Sequence, residues 1–225
     1  MYQDREYLPR GINNYVPAMG YASDVIHGSP TLFSFGTPDD ETTLVDAIKT
    51  DFDTTAAGES TDIDGDAPYS DARYGRCVAI TGTGATVFTI TGRDYLSQPM
   101  VEEITLTDGA GEGNKAFFWI DRIEWDDTGG GAGTTVGWSN KLGMPYKTSM
   151  VHTELADGSP EADTGTLVAG DVTDPQTATT DDPRGTYAPN VALDGETEVA
   201  VFGIFSNWIN PDGNGGLHGV KHYFG

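Results

Sequence analysis

Three groups of residues in this chain have the types and spacing for chemistry. Asp62, Asp64 and Asp66 alternate as at positions 1, 3 and 5 of a calcium loop, where hard carboxylate oxygens converge on a hard cation. An EF-hand loop then requires Gly at position 6 and a bidentate Glu at position 12, and Ala67 and Arg73 stand there instead. The stretch reads as a solvated acidic turn, and no metal site is assigned. His218 and His222 stand four apart, a zinc spacing on a helix. The flanking Gly219-Val220 and Tyr223-Phe224 favour a strand, on which the two rings would lie about 13 Å apart. Cys77, the single cysteine, excludes an internal disulfide and a Cys-based zinc site. At the head of the run Cys77-Val78-Ala79-Ile80 it reads as a small core residue.

No other catalytic pattern stands out. With 35 Asp plus Glu, some carboxylate pair will fall at a glycosidase-like separation by chance, so such a pair is uninformative. The chain has no Gly-x-Ser-x-Gly elbow, no phosphate-binding Gly-x-x-x-x-Gly-Lys-Ser/Thr loop and no dinucleotide fingerprint. Trp119, Trp125, Trp138 and Trp208 could stack sugars, but tryptophans in alternating runs are core residues more often than platforms. Neither enzymatic activity nor a cofactor is expected.

Charge narrows the partners. Against the 35 acids stand 12 Lys plus Arg, a net charge of −23, whose mean field repels nucleic acid and anionic membranes and keeps copies apart in solution. Protein is the expected partner. The opening MYQDREYLPRG carries acids and lacks an apolar segment, and the longest wholly apolar run is Ala116 to Ile120, so no secretory signal or membrane span is expected.

The elements that must carry these residues divide the chain in three. Residues 1–36 read as an extended N-terminal arm with four tyrosines, Tyr2, Tyr7, Tyr15 and Tyr21. Tyrosine suits a surface where one end of a ring is buried and the other wet, so these four are the candidate partner-binding residues. Residues 37–76 read as one short helix and an acidic loop. Thr37 would cap the helix, Pro38 would open it, Asp39 and Asp40 would face its positive end, and Leu44, Ile48 and Phe52 would form its apolar stripe.

Residues 77–225 change to short β-branched and aromatic runs separated by Gly-rich turns, which predicts an all-β, antiparallel β-sandwich or jelly-roll-like domain. Its runs fall at Val78 to Ile80, Val87 to Ile90, Val101 to Leu106, Phe117 to Trp125, Thr134 to Trp138, Met150 to Leu155, Thr166 to Val172, Glu198 to Phe205 and Leu217 to Phe224. Alternation places Phe117, Trp119, Ile123 and Trp125 on the core face, with Arg122 and Glu124 on the other. Thr153 to Pro183, with eight acids and no Lys or Arg, reads as surface loops around one short strand.

Within that last region the segment Thr91-Gly92-Arg93-Asp94-Tyr95-Leu96-Ser97-Gln98-Pro99-Met100-Val101-Glu102-Glu103-Ile104-Thr105 is followed by Asn114-Lys115-Ala116-Phe117 and Ile120 to Ile123. It resembles structural proteins of tailed-bacteriophage virions, in which a strand pair of pattern TGxDxxGQPMxETIT leads into KAFxxI. Val136-Gly137-Trp138 with Lys141-Leu142-Gly143-Met144-Pro145-Tyr146 is similar to the G…LGLPY segment of that group. Pro183-Arg184-Gly185-Thr186-Tyr187-Ala188-Pro189 and Leu217-His218-Gly219-Val220 are similar to its RGTYxP and terminal GV elements. The chain departs from the pattern at Leu96 and Ser97, where the group has a turn Gly, and in the acidic insert after Glu154. The resemblance implies a β-sandwich cement or decoration subunit on the exterior of a virion capsid. Its implied partners are the major capsid protein and further copies of itself. The rival reading is a tail-associated or carbohydrate- and receptor-binding module.

Overall fold

Runs of β-branched and aromatic residues become strands where one face can be buried and a neighbour can take the backbone hydrogen bonds. The computed structural model describes residues 30–54, 56–60, 63, 68–83, 86–126, 132–205 and 218–223, and over these the chain is all-β with every strand pair antiparallel. One sheet holds β1 (Pro30–Gly36), β14 (Val199–Phe205), β10 (Thr148–Ala156) and β11 (Ser159–Pro160), in that order. A second runs β12 (Thr166–Ala169), β13 (Gly185–Ala188), β9 (Thr134–Gly143), β4 (Arg76–Thr81) and β7 (Ala110–Glu112), with β2 (Lys49–Phe52) also on β9. The third runs β3 (Gly58–Ser60), β8 (Trp119–Trp125), β5 (Val87–Arg93) and β6 (Pro99–Thr105).

Two apolar clusters join the sheets in the manner of a sandwich. In the first, Val78, Ile80, Val136 and Trp138 of the second sheet pack with Phe88, Ile90, Met100 and Ile123 of the third. In the second, Phe33, Val199 and Val201 of the first sheet pack with Leu142 and Tyr187 of the second. The ten-residue strand β9 reaches both clusters, Val136 and Trp138 entering one and Leu142 the other.

The helix expected from Thr37 to Phe52 is not formed. In its place are a single 3-10 turn at Glu41–Thr43, capped by the Asp40 side chain, and strand β2. Ile48 is fully buried and Leu44 half-buried, but β9 captures the backbone: Ile48 N–H donates to Val136 O, and Trp138 N–H donates to Leu44 O. Gly137 makes this approach possible, because a Cβ there would lie 1.8 Å from Leu44 O. Tertiary pairing overrides the local signal.

The alternation in β8 is also corrected. Ile120 lies opposite Gly92 and Ile123 opposite Ile90, with a register shift between them at Asp121. This bulge moves the phase by one residue, so Ile120 and Ile123 face the core with Trp125, while Trp119 turns out against Tyr69. Residues 30–36 of the expected arm form β1, and β3 lies within the expected acidic loop. The run at Leu217 to Phe224 is not a strand over its described residues; there Tyr223 O accepts the Val101 N–H, and Val220 and His222 are buried.

Candidate functional site

The charged residues of the resembling motifs meet inside the fold. Asp94 closes the turn between β5 and β6: its Oδ1 accepts from Leu96 N at 2.9 Å and from Gln98 N at 2.8 Å, around Ser97 with φ 64°. Its Oδ2 accepts from Arg184 Nη1 at 2.8 Å, ninety positions along the chain. Both side chains are almost wholly buried. Arg184 also lies 3.6 Å from Asp182 Oδ1 and over the Tyr95 ring at 4.9 Å. Burial works against the Arg184 charge, but the carboxylates of Asp182 and Asp94 more than offset it and leave its pKa raised. Burial pushes the Tyr95 hydroxyl up to about 12, and it donates to Pro145 O at 2.5 Å.

His222 completes this cluster from the chain's far end, with Nε2 3.1 Å from Arg184 Nη2. A guanidinium only donates, so Nε2 accepts and the ring is neutral. Burial first, and the Arg184 charge in addition, hold the His222 pKa below its ordinary value, although Asp182 and Asp94 pull the other way.

A second buried group joins β6 to the segment before β8. Glu102 Oε1 accepts from Asn114 N at 2.6 Å and from Lys115 N at 3.0 Å, while Oε2 is buried without a hydrogen-bond partner. Burial pushes the Glu102 carboxyl up to about 7. Lys115 Nζ donates to Val101 O at 3.0 Å and Thr177 O at 2.7 Å, and burial lowers its pKa. Asp182 Oδ2 accepts from Ala116 N at 3.1 Å, which ties this group to the Arg184 cluster.

Two more buried charges act as anchors. The Glu154 carboxylate accepts the Tyr187 hydroxyl and the N–H groups of Gly165, Asn190 and Val191, fixing two loops to β10. Burial, then the bond to Glu154, raises the Tyr187 pKa. Arg76 donates through Nε to Ser139 O at 2.8 Å and through Nη1 to Asp71 and to Asp39 O. Each arrangement ties together segments distant in sequence, through side-chain and backbone partners together.

The residues singled out in the sequence fall differently. Tyr2, Tyr7, Tyr15 and Tyr21 lie outside the described residues, as do Asp62, Asp64 and Asp66. Cys77 is fully buried at the start of β4, and burial pushes its thiol pKa well up, which makes it an inert core residue. His222 enters the Arg184 cluster, whereas His218 packs against Tyr146. Trp138 is core, Trp119 lies half-buried beneath the exposed Tyr69, and Trp125 donates to Ala56 O. Glu154 and Asp182, assigned by composition to surface loops, are both fully internal. No spacing signal marks them, because their partners lie on other strands. Among the described residues no group of three or more His, Cys, Asp or Glu could hold a metal ion, and no helix is long and apolar enough to cross a membrane.

No family model, curated protein or solved structure matches this chain.

Proposed function

We propose that the chain is a noncatalytic structural protein of a tailed-bacteriophage virion, a cement or decoration subunit on the capsid exterior that clamps neighbouring major capsid proteins. The observation that carries this reading is the placement of the motif charges. Asp94, Glu102, Lys115 and Arg184, which lie in the segments resembling virion proteins, are bonded inside the fold, Asp94 to Arg184 and Glu102 to the backbone of Lys115. Residues so placed hold an architecture together, and an architecture is what the resemblance implies. The charge of −23 agrees with a subunit that is soluble before docking and does not compete for the genome. Docking then rests on the tyrosine-rich segment and on apolar surface.

Copy number on purified particles tests the proposal. Hundreds of copies are expected of a cement protein, and a handful would overturn it in favour of a tail role. Salt tests the mode of docking. Like-charged copies crowded on one particle repel, and screening at a Debye length of about 8 Å in 0.15 M salt relieves that repulsion, while apolar contacts persist. Occupancy should hold or rise towards molar salt. Steady loss would mean that basic capsid patches attract the acidic segments at 39–66 and 154–182.

A second reading, a tail-associated carbohydrate- or receptor-binding module, is favoured by one surface feature. Tyr69 is 54% exposed over Trp119, beside Asp121, which accepts from Trp119 Nε1 at 2.8 Å and from Arg93 Nε at 3.0 Å. Aromatic rings with polar neighbours can stack a sugar. Glycan binding abolished by Tyr69→Ala would favour this module.

A further inference from the structure

Residues 218–223 lie as a strap between the Arg184 cluster and β6, the end strand of the third sheet. The His218 ring packs against Tyr146, 5.2 Å apart between centroids. Gly219, at φ 76°, runs so close to the chain that a Cβ there would lie 2.3 Å from Pro183 O. Val220 and His222 are buried, while Lys221 is exposed. Tyr223 O accepts the Val101 N–H at 2.7 Å and so caps the outer edge of β6. The strap belongs to no strand of the three sheets, so it can leave without breaking a ladder between them.

His222 is the strap's one titratable side chain in the Arg184 cluster. Its Nε2 accepts from Arg184 Nη2 at 3.1 Å, and its Nδ1 is buried without a hydrogen-bond partner. A second proton would make Nε2 a donor facing a guanidinium that only donates. Asp94 Oδ2 lies 3.6 Å from Nε2, but it already accepts from Arg184 Nη1 at 2.8 Å. The charged groups facing the ring are Asp94 from the β5–β6 turn, Asp182 and Arg184 from the segment before β13, and Lys115 from the segment before β8. Tyr95 stands behind Arg184, and Glu102 is turned towards Gly113 and the N–H groups of Asn114 and Lys115. Asp182 and Asp94 favour a charged ring, whereas burial, the largest influence, opposes it together with Arg184 and Lys115. The docked ring therefore binds a proton less tightly than a ring in water, and proton uptake favours release.

We propose that residues 218–223 are an acid-released strap: neutral His222 locks the segment onto Arg184, and proton uptake at Nε2 frees it while the three sheets stay folded. Release uncovers the Arg184 guanidinium and the Val101 N–H, a cation and a strand edge on an acidic protein. The device belongs to the subunit by itself, independent of any particle it serves.

Amide exchange read by NMR on the full chain tests it, at about pH 7.5 and about pH 5, with the intrinsic pH dependence of exchange divided out. A ring that titrates at 6.5 when released and stays neutral when docked raises the opening constant by up to about thirtyfold between these conditions. For the Val101 N–H a rise of about five- to thirtyfold is expected, while amides of β4 and β9 remain protected. The His222 ring resonances should titrate over the same pH interval, a readout that needs no variant. His222→Gln keeps an acceptor for Arg184 and cannot titrate, so Val101 should stay protected at both pH values. His218→Gln should retain the acid-induced loss. Unchanged Val101 protection in acid would overturn the proposal, and so would stronger protection, which would mean that Asp94 and Asp182 hold the charged ring in place. An equal loss in His222→Gln, its disappearance in His218→Gln, or a loss shared by β4 and β9 would overturn it as well.

Discussion

Glu102 should make the stability of this protein depend on pH in a direction opposite to that of most carboxylates. Its Oε1 has two backbone donors, but Oε2 is buried with no partner, and a Cβ at Gly113 would lie only 2.5 Å from it. A proton on Oε2 removes a buried, half-solvated charge, which is why burial raises the carboxyl from 4.5 to about 7. With the folded-state pKa above the unfolded one, the contribution is fully present below about pH 4.5 and is lost as pH rises to about 7. Over that window the unfolded chain ionises while the native state holds its proton. The interval corresponds to about 3 kcal/mol, a substantial part of the 5–15 kcal/mol typical of a folded domain.

Glu102→Gln keeps an acceptor for the Asn114 and Lys115 N–H groups and has no proton to lose. Urea unfolding of both proteins at several pH values between 4.5 and 8 isolates the effect, because every other titrating group is common to the pair. The variant's stability relative to the parent should rise by about 3 kcal/mol from the acid to the alkaline end. A difference constant across that range, to within about 0.5 kcal/mol, would refute the reasoning, since it would mean that Glu102 ionises as readily in the fold as in the unfolded chain.

Asp94→Asn should destabilise by about 3–5 kcal/mol in chemical denaturation, because it leaves the Arg184 guanidinium buried beside a neutral partner. Arg93→Ala, which breaks an ion pair whose arginine is 54% exposed, should cost at most about 1 kcal/mol. The bulge at Asp121 predicts that Ile120→Ala costs about 2–5 kcal/mol and Trp119→Ala clearly less, in the same unfolding assay; the reverse order would restore the unbroken alternation. Ile123→Asp places an unpaired carboxylate in the first core cluster at a cost of several kcal/mol, and a soluble, cooperatively melting variant would contradict that placement.

The strands were legible wherever a period-two run ended at glycines, as at Val87 to Ile90 and Thr134 to Trp138. Legibility failed where a distant strand decided the local outcome. Leu44, Ile48 and Phe52 have helical spacing, yet Ile48 N–H pairs with Val136 O, and nothing near residue 48 announces that partner. The bulge at Asp121 adds one residue to β8 alone, so the alternation was right on the Ile123 side of it and out of phase at Trp119. β13 went unread because it has four residues and follows an acidic insert. Glu154 looks like the start of a solvated segment, and it is made internal by Gly165, Tyr187, Asn190 and Val191, eleven to thirty-seven positions on.

The same limit explains the charge pattern. Four cations, Arg76, Lys115, Lys147 and Arg184, and four acids, Asp94, Glu102, Glu154 and Asp182, are buried among the described residues. The interior set is therefore balanced, and removing four from each of 12 and 35 leaves 8 cations against 31 acids for the rest of the chain. A third of the basic residues thus serve inside, where low dielectric makes each charge selective for its partner and so for which segments meet. A remainder with so few cations offers few partners for charge-assisted contacts to an acidic surface. By charge alone, a basic partner surface or an apolar contact is favoured over an acidic one.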